Sequence, residues 1–202
     1  MKKILKVFML LLLCALVMVS CDSNLTPAKT YDVGDEGPGG GIVFYVNPNA
    51  STDGWTYLEI TKEKIGEYPF GYRIPKSSSP VAVGGTVEDI GKGKENTDAL
   101  VNGMDLGDGT AYTTTSGSGT KGKYAAKECR NYKGGGLNDW YLPSIGELLE
   151  CIRVKDKVKI SLFGALSSTE KNSSQAYEID STNIKYEIAR NFSNPVFAVR
   201  RF

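Results

Sequence analysis

The 202 residues, 41% of them hydrophobic, are enough to bury one sizeable core in one domain, and 23 glycines with 11 tyrosines suit a loop-rich, strand-containing fold more than a helical bundle. Histidine is absent, which excludes Ser-His-Asp and Cys-His catalysis and removes the commonest transition-metal ligand. The formal net charge is only +1, but it is unevenly split: residues 22–110 carry 7 basic against 14 acidic side chains, and residues 111–202 carry 14 against 9.

At the N-terminus, Lys2, Lys3 and Lys6 precede an apolar run from Val7 to Val19, followed by Ser20-Cys21. A basic end, a short apolar segment and a small residue before the cut describe an export signal. The run is too short to span a bilayer, which takes roughly 20 apolar residues. Met18-Val19-Ser20-Cys21 resembles the lipobox of bacterial lipoproteins, with Met where Leu is usual. In that motif the peptide is cut before the cysteine and the thiol is lipidated. The resemblance implies lipidation at Cys21 and a membrane partner reached through the lipid anchor. The location implied is the bacterial cell envelope, at the outer membrane or cell surface. Each buried acyl CH₂ contributes about 0.8 kcal/mol to such an anchor. The resulting division is a signal peptide over 1–20, a lipidated tether over 21–33 and one domain over 34–202.

The domain opens on Gly34-Asp35-Glu36-Gly37-Pro38-Gly39-Gly40-Gly41. No G-x-x-x-x-G-K-[ST] pattern or following helix supports a phosphate loop, so the glycines read as a tight turn into the buried strand Ile42–Val46. A loop over Asn47–Gly54 and a strand over Trp55–Ile60 complete a hairpin. Thr61–Thr97 is the least regular part and a candidate binding-loop region, with turn formers around Pro69–Pro75 and a plain loop at Ser77–Pro80. A short helix is expected to start with Thr97 as its cap and stop at Gly103. Asp105–Gly109 lacks the third ligand and the distal Glu of a calcium loop and reads as a turn. From Lys121, the residues Tyr124, Ala125, Ala126, Cys129 and Tyr132 suit a helix closed by Gly134-Gly135-Gly136.

The best-defined stretch runs from Asp139 to Ile152. Trp140, Tyr141 and Leu142 form an apolar cluster, and Pro143 delays the helix start. Ser144 and Glu147 have capping-box spacing, and Ile145, Leu148, Leu149 and Ile152 recur on one helical face. Asp139 and Glu147 are a carboxylate pair in principle able to do acid–base work, but Glu147 is better explained as a cap. Further on, Ala176–Ile179, Lys185–Ala189 and Val196–Val199 read as strands of an antiparallel sheet. No cofactor or metal is expected.

Seven ordered blocks carry a resemblance that covers nearly all the mature chain. They are Gly39–Tyr45, Asp53-Gly54-Trp55 with Tyr57–Glu59, Ile90–Lys94 with Asn96-Thr97, Ala125–Lys127 with Cys129, Asp139–Ser144 with Glu147-Leu148, Ser167–Glu170, and Ala198–Phe202. Together they resemble the C-terminal domain of the collagen-like bacterial adhesins, a family related to the C-type-lectin-like fold. The resemblance implies an α+β C-type-lectin-like domain with two short helices, a twisted antiparallel sheet, and N- and C-terminal strands paired together. It also implies export, and for some members the binding of sulfated polysaccharides. Ala165-Leu166 stand where the family usually carries an aromatic pair.

With Cys14 removed and Cys21 lipidated, Cys129 and Cys151 remain, each on an expected helix and in an oxidising compartment. Two states stay open: a Cys129–Cys151 disulfide, contributing about 3 kcal/mol through loop closure, or two free buried thiols. Arg153-Val154-Lys155-Asp156-Lys157-Val158-Lys159 would, if extended, line Lys155, Lys157 and Lys159 along one side as a site for an anionic polysaccharide. A solvated basic face is the competing reading.

Three function classes remain. The first is an exported, lipid-anchored binding module or adhesin for anionic glycans or a host matrix protein, without enzyme activity. The second is a structural envelope lipoprotein without a specific ligand. The third is an enzyme like the formylglycine-generating enzymes, which share the lectin-like fold and need reactive cysteines. Nucleic acid is not expected as a partner of an exported protein. Neither Asn47-Pro48-Asn49 nor Asn194-Pro195-Val196 supplies the ligand set of a calcium-dependent sugar site.

Overall fold

The computed structural model describes residues 29–75, 79–104, 111–114 and 120–202. The expected signal peptide, Cys21, most of the expected tether, Ser77-Ser78 and Asp105–Gly109, expected to turn, lie outside the described residues. Tyr31–Phe202 forms one compact unit. Among the described residues its fully buried apolar side chains run from Val43 to Val199, a core of its own such as a domain able to fold alone has. Among the described residues it is a mixed α/β structure with five α-helices and four small antiparallel sheets.

The expected hairpin is present. Strands β1 (Ile42–Val46) and β2 (Tyr57–Ile60) pair antiparallel, with Ile42 opposite Ile60 and Val43 opposite Glu59. The connecting loop holds a one-turn helix, α1 (Ala50–Asp53), closed by Gly54 at φ 74°. Asn47 organises this loop by donating to Asp53 Oδ2 at 3.0 Å and to the Trp55 carbonyl at 3.1 Å. The last strand, β10 (Val199–Arg201), pairs with β2 from the other side, giving the order β1-β2-β10. The first and last strands therefore share a sheet, with β2 between them.

The remaining strands form smaller sheets. β3 (Gly66–Pro69) pairs with β9 (Ser193–Val196), β4 (Ala111–Tyr112) with β5 (Lys121–Gly122), and β6 (Leu166–Glu170), β7 (Gln175–Ile179) and β8 (Lys185–Ala189) lie in that order. The expected strand Val196–Val199 is divided between two sheets. Val196 ends β9 and Val199 starts β10, while Phe197 and Ala198 cross between them through the core.

Helix α2 (Gly93–Met104) begins four residues before Thr97. Thr97 is not its cap but a buried clamp: its hydroxyl accepts from the Leu142 N–H at 3.0 Å and donates to the Leu142 carbonyl at 3.2 Å. α3 (Ala125–Asn131) is followed by a 3-10 turn at Gly134–Gly136. α4 (Ile145–Arg153) starts with the expected capping box. The Ser144 hydroxyl accepts from the Glu147 N–H at 3.1 Å, and the Glu147 carboxylate accepts from the Ser144 N–H at 2.8 Å.

The basic segment is not extended. Lys155–Val158 is the one-turn helix α5, and Lys159 closes it in the left-handed region at φ 56°. At about 100° per residue, Lys155 and Lys157 point roughly 160° apart, so the row of cations does not form. Val154 and Val158, four apart, satisfy helical and strand periods equally. Their spacing therefore could not decide between the two.

Two apolar clusters make the core. One gathers Phe70, Leu100, Met104, Tyr124, Cys129 and Trp140; the other gathers Phe44, Leu58, Tyr141, Ile145, Leu148 and Cys151. Trp140-Tyr141-Leu142 is extended, so successive side chains leave on opposite sides and feed both clusters. The two cysteines fall in different clusters and both are free thiols, so the Cys129–Cys151 bridge is absent. Each thiol serves as a small apolar group in its own cluster.

Candidate functional site

The glycine run does bind an anion, but one supplied by the chain itself. Gly39 N–H donates to both carboxylate oxygens of Glu59, at 2.9 and 3.2 Å, and Gly41 N–H donates to Oε2 at 3.0 Å. Any side chain at these positions would collide with the assembly. A Cβ on Gly39 would lie 2.6 Å from Trp140 Cζ2, and one on Gly41 would lie 2.5 Å from the Ile60 carbonyl oxygen. This is a backbone nest, and the hairpin register, which sets Val43 opposite Glu59, brings the carboxylate into it.

Arg200 completes the arrangement. Its Nη1 lies 2.7 Å from Glu59 Oε1, while Nε and Nη2 donate to the two carboxylate oxygens of Asp139 at 2.8 Å each. The fork-on-carboxylate geometry is the one guanidinium makes best. Glu59 is fully buried, and Arg200 is 7% exposed. The Arg200 hydrogen bonds hold the Asp139 carboxyl below its usual range. Burial pulls Arg200 down, but hydrogen bonds to Asp139 and Glu59 outweigh it and leave the guanidinium above its usual value. Four distant segments thus meet at one fixed point.

Beside this point, Gly39–Gly41, Thr61–Ile65, Tyr132 and Trp140 enclose a cleft of about 440 Å³. Trp140 forms its back wall, with the indole N–H donating to the Gly134 carbonyl at 3.0 Å. Tyr132 stands edge-on to that indole at 5.5 Å and is only half-buried, so it offers the more accessible aromatic surface. The rim carries exposed Lys62, Glu63 and Lys64, with Lys62 paired to Glu36 at 2.5 Å and Lys64 paired to Glu67. A smaller cleft of about 160 Å³ flanks Asp139 and Trp140 and is lined by Asp98, Lys94 and Arg130. Burial raises Asp98, yet hydrogen bonds from Lys94 and Arg130 prevail and lower its pKa.

The residues singled out in the sequence go elsewhere. Asp139 and Glu147 do not form an acid–base pair, because Asp139 belongs to Arg200 and Glu147 is enclosed in its own cap. Glu147 also accepts from Gly91 N–H at 3.0 Å, Gly93 N–H at 3.4 Å and the Tyr141 hydroxyl at 3.3 Å. Burial pushes its carboxyl up to about 7 against the pull of these donors. Burial, with Glu128 adding to it, raises Cys129 well above the usual thiol value. Burial and Glu150 likewise push Cys151 up to about 12. Both sulfurs are therefore held as thiols rather than nucleophilic thiolates.

Lys155, Lys157 and Lys159 are exposed but line neither cleft. Ala165 and Leu166, which stand where the resembled family usually carries an aromatic pair, are core residues. Asn194 donates to Glu178, and Asn47 is occupied by its own loop. Among the described residues no cluster of three or more Cys, Asp or Glu side chains could hold a metal ion.

Glu59 and Arg200 were not singled out by the sequence reading. A usable signal existed, namely an acid between Leu58 and Ile60 in a buried strand, which calls for hydrogen-bond donors or a cation. No protein-family model matches the chain, and the curated proteins contain no match to it.

Proposed function

We propose that the chain is an exported, lipid-anchored binding module of the bacterial cell envelope, a non-enzymatic C-type-lectin-like domain whose cleft beside Trp140 takes a saccharide. The observation that carries this reading is the pairing of an aromatic-walled, polar-rimmed cleft with a rigid buried frame behind it. Its volume of about 440 Å³ falls within the roughly 300–1,000 Å³ of small-molecule sites. A sugar ring presents an apolar face that suits Tyr132 and hydroxyls that suit Lys62, Glu63 and Lys64. The rim lysines have carboxylate partners in Glu36 and Glu67. That balance favours a neutral or weakly acidic saccharide over a densely sulfated one. The protonated, buried thiols support the non-enzymatic reading over one like the formylglycine-generating enzymes.

The test is an array of neutral, uronic-acid and sulfated glycans probed with the 29–202 domain, with and without calcium. A bound saccharide whose affinity falls about tenfold in Tyr132→Ala, with calcium irrelevant, supports the cleft. Absence of binding to every class would leave the structural envelope lipoprotein as the better reading. Binding indifferent to Tyr132→Ala and Lys64→Ala would move the site off this cleft.

A further inference from the structure

Three stretches far apart in sequence meet at another pocket, of about 170 Å³, which shares no residue with the Trp140 cleft. Asp53 and Trp55 come from the loop before β2, and Arg201 from the end of β10. Gly91 and Lys92 come from the turn before α2, and Glu95 from its first turn. The corner is firmly built. A Cβ on Gly91, whose φ is +83°, would lie 2.6 Å from Trp55 Cζ2, so the close approach of the indole depends on glycine. Gly91 N–H donates to Glu147 at 3.0 Å, which ties the pocket to the cap of α4. Tyr45 packs on the same indole, with ring centroids 6.1 Å apart.

Four charged side chains line the pocket, two of each sign, and they balance: Lys92 and Arg201 against Asp53 and Glu95. Only one pair among them is made. Arg201 Nη1 donates to Glu95 Oε1 at 3.0 Å and to the Gly91 carbonyl at 3.2 Å. Its Nε and Nη2, the edge that grips a carboxylate through two parallel bonds, have no partner among the described residues. Arg200, the preceding residue, spends that same edge on Asp139.

The acids are likewise half-used. Asp53 accepts from Asn47 at 3.0 Å through Oδ2 and keeps Oδ1 open, and Glu95 keeps Oε2 open. Lys92 is exposed and makes no ion pair among the described residues, although Asp53 lines the same pocket. One small space therefore holds an open donor edge, a free ammonium and open acceptor oxygens, on side chains that other bonds already orient. Trp55 and Ile90 are its only apolar side chains.

We propose that this pocket binds a small free α-amino acid. The ligand carboxylate takes the Nε and Nη2 edge of Arg201 beside Lys92, and the ligand ammonium donates to Asp53 Oδ1 and Glu95 Oε2. A zwitterion satisfies both signs at once. A simple carboxylate would leave the two acids unanswered, and a simple amine would leave the guanidinium edge so. The volume is below the roughly 300–1,000 Å³ of sites for drug-sized ligands, which restricts the amino acid to a small side chain. The inference stands whatever the Trp140 cleft holds.

The test is isothermal titration calorimetry of the whole purified protein with glycine, alanine and serine, with propionate and propylamine as single-charge controls. Alanine is expected to bind about tenfold or more tightly than either control. Arg201→Gln and Asp53→Asn should each weaken it about tenfold or more. Lys92→Ala, at an exposed side chain whose loss does not threaten the fold, should weaken it about threefold. No binding of any of the three amino acids overturns the proposal. So does propionate binding as tightly as alanine, since that describes a plain carboxylate site. Affinity for alanine unchanged in both Asp53→Asn and Lys92→Ala would place the ligand elsewhere and overturn the assignment, even if Arg201→Gln fails to fold.

Discussion

Replacing Arg200 with methionine tests the buried frame most directly. The substitution preserves much of the volume and removes the charge that faces Glu59 at 2.7 Å. Glu59 keeps its Gly39 and Gly41 donors, but its negative charge is then buried without a cation. Breaking a buried pair in this way costs about 3–5 kcal/mol. The Asp139 arm adds little, because that side chain is 42% exposed and water replaces the guanidinium. For a unit of this size, 1 kcal/mol shifts Tm by roughly 2–4 °C, so Arg200→Met should lower Tm by about 6–20 °C. Glu59→Gln alone should cost about 2–3 kcal/mol, since its amide N–H₂ faces glycine donors. The double variant lacks the orphaned charge and should be more stable than the two single losses added together, by about 2 kcal/mol or more. Urea unfolding at neutral pH, with m unchanged across the four proteins, provides the cycle. A loss below about 1 kcal/mol for Arg200→Met, or strict additivity, would refute the claim that Arg200 neutralises Glu59.

The remaining predictions concern other parts of the chain. Cys129 and Cys151 should react with a thiol reagent only after denaturation, giving two free thiols and no bridge by mass; protection by a disulfide would contradict the structure. Burial, reinforced by Asp180, pushes the Glu178 carboxyl up to about 7. A carboxyl raised on folding binds its proton more tightly in the native state. It therefore contributes stability below about pH 4.5 that is lost as pH climbs toward 7. Glu178→Gln should flatten that slope, and an unchanged pH–stability profile between 4.5 and 7 would reject the assignment. Cys21→Ser should release the exported protein from the membrane fraction, and continued partitioning into the detergent phase would rule out acylation at Cys21.

Local grammar was legible, and long-range partnership was not. The Ser144–Glu147 box and the β1–β2 hairpin depend on residues a few positions apart and stand where the spacing put them, whereas the helix from Ala125 stops at Asn131 with an extended Tyr132 before the Gly134–Gly136 turn. The start of α2 was missed because Lys92 before it is not a capping residue type, and the side chain that accepts from Gly93 N–H is Glu147, 54 residues away. Thr97 looks like a cap but instead bridges to Leu142, 45 residues away. The basic segment failed for a different reason: Val154 and Val158 fit both periods, and four residues are too few for periodicity to decide. A strand that changes sheets, as Val196–Val199 does, reads as one apolar run because both halves are buried.

The glycine run is the most instructive miss, because an anion nest looks the same in sequence whether its occupant is a ligand or a side chain. Rejecting a phosphate loop left Gly39 and Gly41 as turn residues and nothing more. Their actual constraint comes from three other segments at once. Glu59 fills the nest, Trp140 presses on Gly39, and Arg200 from the last strand neutralises the carboxylate 141 residues earlier in the chain. Tyr57-Leu58-Glu59-Ile60 already carried the clue. An acid on a strand enclosed by apolar neighbours needs donors or a cation, and Ala198-Val199-Arg200 is an apolar segment with a cation at the matching place. Buried charge, read as a demand for a partner, links the two ends of the chain where hydrophobic periodicity alone could not.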